Sequence, residues 1–402
     1  MSTKKKIFSL LIIINYQLLI INSAFGQDSS HLRISLLTCT PGDELYSTFG
    51  HSAYRVVDSN SVTDIVYNYG TFNFDDNGFY IKFIRGKLLY YVSAEDFNGP
   101  YGFKNAYQST NRGITEQVLD LTAAEKTSIQ HFLNENLKEA NKYYKYDFFL
   151  DNCTTRLRDI LKKNHDSTFT IKPVMPVGTT FRQAIYQYLD KNDKQWSKLG
   201  IDILLGQPCD GIMAPEQMQF LPDNLMKSLD SSDHHLILSH ENLYPINNES
   251  GKKSFFNPLV IFSLLLVIIA LISLSKNKYA EGFLRGFDGL LFFFTGLLGF
   301  ILIFMWFATD HSMTKNNYNL LWAWPMHMLI AFFVNSNKSW VKKYFAITSV
   351  ALVLVLMAWF FLRQHLNISL IPSFTAKAAP AATIFPLSAA KNLDPWTKFS
   401  AI

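Results

Sequence analysis

Two short stretches hold residues whose types and placing point to nucleophilic chemistry. Phe49-Gly50-His51-Ser52-Ala53-Tyr54-Arg55 puts a histidine at the entry to a strand, and Asp151-Asn152-Cys153-Thr154-Thr155-Arg156 puts a cysteine at the start of a helix. A helix start carries about half a positive charge, which stabilises a thiolate and lowers a cysteine pKa from its free value of about 8.5. A histidine on a facing strand would complete a thiolate–imidazolium pair and then serve as general acid. Cys153 and His51 are therefore a candidate dyad. The alternative is a buried, inert cysteine, since free cysteine packs as a small hydrophobe.

The elements that must position this pair are legible around it. Residues 31–39, 52–57, 64–69, 88–93 and 114–121 alternate or carry β-branched and aromatic residues, and turns such as Pro41-Gly42-Asp43 and Asp58-Ser59-Asn60 punctuate them. Residues 79–84 form a short apolar piece. Thr122 and Glu125 make a capping box, and Ile129, Phe132, Leu133 and Leu137 follow at helical spacing. Residues 143–150 read as aromatic and extended. Asp151-Asn152 then cap a helix over 153–164 whose buried face is Leu157, Ile160 and Leu161. Further helical patterns fill 181–231.

The chain divides into two unlike halves. Hydrophobic residues make up 49% of its 402 residues and charged residues 17%, but 27–253 reads as an ordinary domain while 254–362 is nearly all apolar. Residues 1–26, with Lys4, Lys5 and Lys6 before an apolar stretch and Ala24-Phe25-Gly26 at its end, are expected to be a signal peptide, with an uncleaved anchor as the alternative. Four segments, 255–274, 289–308, 318–334 and 343–362, approach the roughly 20 residues needed to span hydrocarbon. The third is the weakest, interrupted by Asn319, Trp322, Trp324, Pro325 and His327. Basic residues fall in the gaps 275–288 (Lys276, Lys278, Arg285) and 335–342 (Lys338, Lys342), so these gaps belong in the cytoplasm. That puts 27–253, the loop 309–317 and the tail 363–402 outside, in agreement with an export signal. The net charge of +5 lies largely at the N-terminus and in those gaps, which argues for topology and against a nucleic-acid partner. In the outer loop, Asp310 and His311, followed by Asn316, Asn317 and Asn319, are candidates to line a substrate site.

The three cysteines, Cys39, Cys153 and Cys209, allow one disulfide, Cys39 with Cys209 being one possibility. His234, His235 and His240 lack the accompanying pattern of a zinc site. No metal and no cofactor is expected.

A glycine–histidine pair entering a strand, with asparagine–cysteine at a helix start about a hundred residues later, resembles the permuted papain-like folds of the NlpC and lecithin:retinol acyltransferase type. More closely, the stretch from Glu44-Leu45-Tyr46-Ser47 through FGHSAYR, YNYGTFNF and YKYDFFLDNCTTRLRD, with NYNLLWAWP in the outer loop, resembles the Bacteroidetes family with a periplasmic Lnb N-terminal domain. The resemblance covers both halves. It implies an α+β permuted papain-like domain followed by about four transmembrane helices, in the inner membrane with the catalytic domain in the periplasm. It also implies a lipoprotein N-acyltransferase that moves an acyl chain from phospholipid to the free amine of diacylglyceryl-cysteine lipoproteins. Cys153 would be the nucleophile and His51 the base. Asn68 would orient the imidazole, in competition with Tyr69, Asp58 and Tyr46. The Cys153 backbone N–H, with Asn152 or Thr154, would form an oxyanion hole. Arg55 and Arg156 would hold a lipid phosphate, the alternative for either being a surface ion pair, and Tyr69 is a further substrate-binding candidate.

Two other classes stay open: a cell-wall amidase or peptidase, which needs the same dyad but no four-helix membrane part, and a non-catalytic assembly factor with a structural cysteine.

Overall fold

A computed structural model describes residues 30–165, 172–232, 236–244, 254–275, 277–373 and 375. The expected signal peptide, the His234-His235 pair, Lys276 and most of the tail lie outside the described residues.

Seven strands form one antiparallel sheet: β1 (Leu32–Cys39), β2 (His51–Asp58), β3 (Thr63–Thr71), β4 (Leu89–Asp96), β5 (Ile114–Leu119), β6 (Tyr143–Lys145) and β7 (Ile237–Tyr244). Their spatial order is β6-β4-β3-β2-β1-β5-β7. Helices α1 (Phe79–Ile84), α2 (Phe103–Ser109), α3 (Ala123–Leu137), α4 (Cys153–Asn164), α5 (Phe181–Lys191), α6 (Gln195–Leu204) and α7 (Pro222–Asp230) accompany it.

Period-two alternation sends β-strand residues to opposite faces. On one face Leu36, Tyr54, Tyr67 and Tyr69 pack under Ile129 and Leu133 of α3, Leu157 and Leu161 of α4, and Leu225 and Leu229 of α7. On the other, Leu37, Cys39, Ala53 and Val66 pack against Phe97 and Phe103. The Tyr54 hydroxyl donates to the Leu157 carbonyl at 2.8 Å and ties β2 to α4. The box at Thr122 is formed on both sides, with Glu125 returning to the cap. Residues 143–150 differ from expectation: only Tyr143–Lys145 is strand. The Asp147 carboxylate then accepts from the backbone N–H groups of Phe149 and Leu150, which turns the chain into α4.

The C-terminal part is helical: α8 (Pro258–Ser273), α9 (Lys278–Phe307), α10 (Met326–Ile330) and α11 (Ser339–Ala358). Lys278–Phe307 and Ser339–Phe361 are long and apolar enough to cross a membrane, while Pro258–Ser273 is shorter. The expected gap 275–288 is mostly the first turns of α9. The expected third span is not one helix. It runs as a 3-10 turn at Tyr318–Leu321, then α10, then a 3-10 turn at Ala331–Phe333. Pro325, which has no N–H to donate, stands where a continuous helix would need one. The segment lies against α9 so closely that Cβ atoms at Gly296 and Gly299 would come within 2.0 Å of the Met328 nitrogen and 2.1 Å of the Ala323 oxygen.

A polar seam joins the halves. The last carbonyls of a helix have no intrahelical partner. At the end of α6, Ile203 and Leu204 accept from Asn317 Nδ2, Asp202 and Ile203 from Asn319 Nδ2, and Leu205 from Gln364 Nε2. The Gly206 N–H donates to Met313 and the Gln207 N–H to Asn316. On the apolar face of α6, Leu199 packs with Leu302 and Trp322 of the membrane part.

Candidate active site

Cys153 is the first residue of α4. Asn152 caps the helix: its Oδ1 accepts from the N–H groups of Thr154 and Thr155 at 2.8 and 2.9 Å. Its Nδ2 donates to the Phe148 and Phe220 carbonyls, and its own N–H donates to the Thr155 hydroxyl. A cap of this kind contributes about 1 kcal/mol. Asn152 is thus fully committed and supplies no donor to an oxyanion, contrary to expectation, and the Thr154 N–H is taken as well. Of the first turn, the Cys153 N–H alone finds no acceptor among the described residues.

His51 opens β2. Its ring faces the Cys153 sulfur, whose charge acts on it, and its Nε2 lies 2.6 Å from Asn68 Oδ1 on β3. Asn68 Nδ2 donates to Glu95 Oε1 on β4 at 3.0 Å, which sets the orientation of the amide. With an amide oxygen against it, Nε2 carries a proton, and Nδ1 is left to exchange one with the thiol. Tyr107 of α2 stacks on the imidazole with centroids 6.5 Å apart. Gly70 makes the approach possible: its φ is +93° at the bulge between Tyr69 and Thr71, a conformation open mainly to glycine. A Cβ there would lie 3.7 Å from that of Cys153.

Electrostatics follow from this packing. Burial pushes the Cys153 thiol up. The His51 charge and hydrogen bond, the Ser52 N–H and the Thr154 hydroxyl outweigh it and hold the pKa at about 7. Burial pulls the His51 imidazole down, but the Cys153 charge and its hydrogen bonds to Cys153 and Asn68 leave it raised. The two shifts describe a thiolate beside an imidazolium, the activated state a sulfur nucleophile needs.

A family model described as the Lnb N-terminal periplasmic domain matches residues 26–187, and one described as the Lnb transmembrane domain matches residues 250–378. The chain belongs to the Lnb family. Its sheet-and-helix domain is the periplasmic Lnb domain, and the helical part with its candidate spans is the Lnb transmembrane domain. No curated protein and no solved structure matches it.

Within this Lnb chain the other expected site residues have different employment. Arg55 is 8% exposed. It makes a two-pronged pair with Asp64 at 2.7 Å, bonds Glu116 at 3.2 Å and lies over the Phe97 ring, so it holds the sheet together and offers no donor to a lipid phosphate. Arg156 pairs with Asp151 at 2.8 Å and stacks over Tyr144 at 3.5 Å. Tyr69 is buried in the core with Tyr144. Thr154 contributes its hydroxyl, 3.7 Å from the Cys153 sulfur and 3.3 Å from Ser52 Oγ. Of the competitors to Asn68, Tyr46 is exposed and Asp58 bonds Ser61 at the far end of β2.

The outer loop docks on the periplasmic domain instead of lining the dyad. Asp310 pairs with Lys145 at 3.2 Å, His311 Nε2 lies 3.0 Å from the Ile84 carbonyl, and Asn317 and Asn319 belong to the seam. All three cysteines are free. Cys39 and Cys209 sit in separate cores, so the disulfide considered for them is not formed. Sequence reasoning missed Glu95, Tyr107, Ser52 and Tyr146. Ser52 and Tyr146 stand inside the FGHSAYR and YKYDFF stretches without being singled out, while Glu95 on β4 and Tyr107 on α2 reach the dyad only through the fold.

Proposed function

We propose that this chain is a lipoprotein N-acyltransferase working through a thioester at Cys153. The observation that carries the reading is the Cys153–His51–Asn68 row on a periplasmic domain seamed to membrane helices. Membership of the Lnb family, which points to lipoprotein maturation, supports it. So does the order of a histidine strand before a cysteine helix, which fits a permuted papain-like arrangement.

The Cys153 thiolate attacks the ester carbonyl of a phospholipid. The Cys153 N–H faces the oxyanion that forms. The acyl C–O bond then breaks, and the His51 imidazolium gives its proton to the departing glycerol oxygen, releasing lysophospholipid. The amine of a diacylglyceryl-cysteine lipoprotein next attacks the thioester, His51 takes its proton, the C–S bond breaks and thiolate is restored. Asn68 keeps the imidazole turned to the sulfur through both halves.

The test is intact mass of the purified protein after incubation with phospholipid, beside Cys153→Ala. A hydroxylamine-sensitive acyl adduct on Cys153, passed on to a lipoprotein amine, is the expected result. Absence of the adduct in folded, membrane-inserted protein rejects the reading. Cleavage of muropeptides by the same preparation would favour a wall amidase.

A further inference from the structure

An exposed apolar ridge leads inward from α1 to the nucleophile. Tyr80, Ile81, Phe83 and Ile84 are each at least half exposed, and Phe74 beside them is 69% exposed. Contiguous apolar surface of this kind marks an interaction site. The membrane domain meets the ridge from its outer end: the Asp310 N–H donates to the Arg85 carbonyl at 2.9 Å, three residues after α9 ends at Phe307. The α1 helix therefore sits beside the outer end of α9.

From α1, rings step toward the dyad. Phe79 and Phe72 have centroids 5.8 Å apart, Phe72 and Tyr90 5.2 Å, and Tyr90 stacks on Tyr146 at 4.4 Å. The Tyr146 ring edge and the Cys153 Cβ are each 3.7 Å from the point a Gly70 Cβ would occupy. Beside α1, a cavity of about 560 Å³ is lined by Lys82, Lys87 and Lys142 with Tyr91 and Tyr143. Asp76 also lines it and pairs with Lys82.

We propose that α1 dips into the periplasmic leaflet as the entry port for a glycerophospholipid. The acyl ester passes along Phe79, Phe72, Tyr90 and Tyr146 to Cys153, while Lys87, with Lys82 and Lys142 already paired to Asp76 and Glu139, faces the headgroup region. A short apolar helix with basic neighbours suits an interfacial position. The nature of the ligand rests on the acyl-transfer reading; the position of α1 does not.

Two measurements on the full chain in proteoliposomes separate these. A spin label at Ile81→Cys, in the Cys153→Ala background, is expected to be more accessible to oxygen than to an aqueous nickel complex. A label at Val62→Cys, 89% exposed in the native chain, is expected to show the reverse. A nickel-favoured label at position 81 overturns the port whatever the reaction proves to be. In the chain with Cys153 intact, Phe83→Ser with Ile84→Ser is expected to slow acylation by vesicle phospholipid about tenfold, with the iodoacetamide alkylation rate unchanged. Unchanged acylation, or an equal fall in alkylation, overturns the port. Should the parent chain take no acyl group from vesicles, the acyl-transfer reading fails, while the label still decides where α1 lies.

Discussion

Cys153 and Cys209 are both buried beside a cationic side chain, yet their surroundings drive the two thiols apart. Cys209 lies on a 3-10 turn, Gln207–Asp210, next to Arg182. Burial pushes its thiol up to about 12, and the arginine offsets this only in part. Arg182 is already neutralised: it pairs with Asp202 at 2.8 Å and Asp210 at 3.0 Å and donates to the Leu205 and Gly206 carbonyls. Among the described residues the His51 ring has no carboxylate in contact. Its Asn68 partner is a neutral amide, with Glu95 one bond further back. A cation lowers a neighbouring thiol pKa only to the extent that its charge is not spent elsewhere. One region holds a thiol beside an available positive charge, and the other ties the two halves of the molecule together.

Cys153→Ala is expected to lower acyl transfer by roughly 10³-fold or more with little change in thermal unfolding, while Cys209→Ser leaves transfer near the parent rate; paired activity assays and melting curves decide. Arg182→Met does the opposite. It strands two buried carboxylates and costs about 3–5 kcal/mol of stability, read as a lower unfolding midpoint in detergent. Retention of the parent midpoint would show the Cys209 region to be dispensable.

His51→Ala sharpens the electrostatic half. Alkylation of Cys153 is expected to rise with pH around a midpoint of about 7 in the parent chain. Removing the imidazolium leaves burial opposed only by the Ser52 N–H and the Thr154 hydroxyl, so the thiol loses its proton only at higher pH and the midpoint moves to about 8.5 or above. A midpoint that stays near neutrality would assign the activation to the Ser52 N–H, the Thr154 hydroxyl and the helix start. Smaller again is Asn68→Ala, expected to cost roughly 10- to 100-fold in turnover through a mis-turned imidazole. Glu95→Gln should cost less, because it loosens only the orientation of the Asn68 amide. Equal losses for the two would mean that Glu95 acts directly on the ring.

Local features survived folding intact. Asp151-Asn152 before Leu157, Ile160 and Leu161 reads as a capped amphipathic helix from sequence alone, and α4 starts there. Asn68 was one of four candidates, since period-two alternation says which face a residue takes but not which residues meet at a strand end. The apolar density of 318–334 argued for a continuous span. Hydropathy does not register that Asn317 and Asn319 are consumed by the carbonyls ending α6, more than a hundred residues earlier.

Short-range physics is written along the chain: the export-and-membrane division, the strand carrying His51, and a cysteine set on a helix start. Tertiary structure alone decided which charges remain available. Arg55 finds Glu116 sixty-one residues away, and Arg156 lies across Tyr144. Asp310 reaches Lys145 across 165 residues. A charged side chain's role depends on the partner that folding delivers, because hydrogen bonds need contact and Coulombic attraction is screened within about 10 Å, and the chain does not reveal those neighbours in advance.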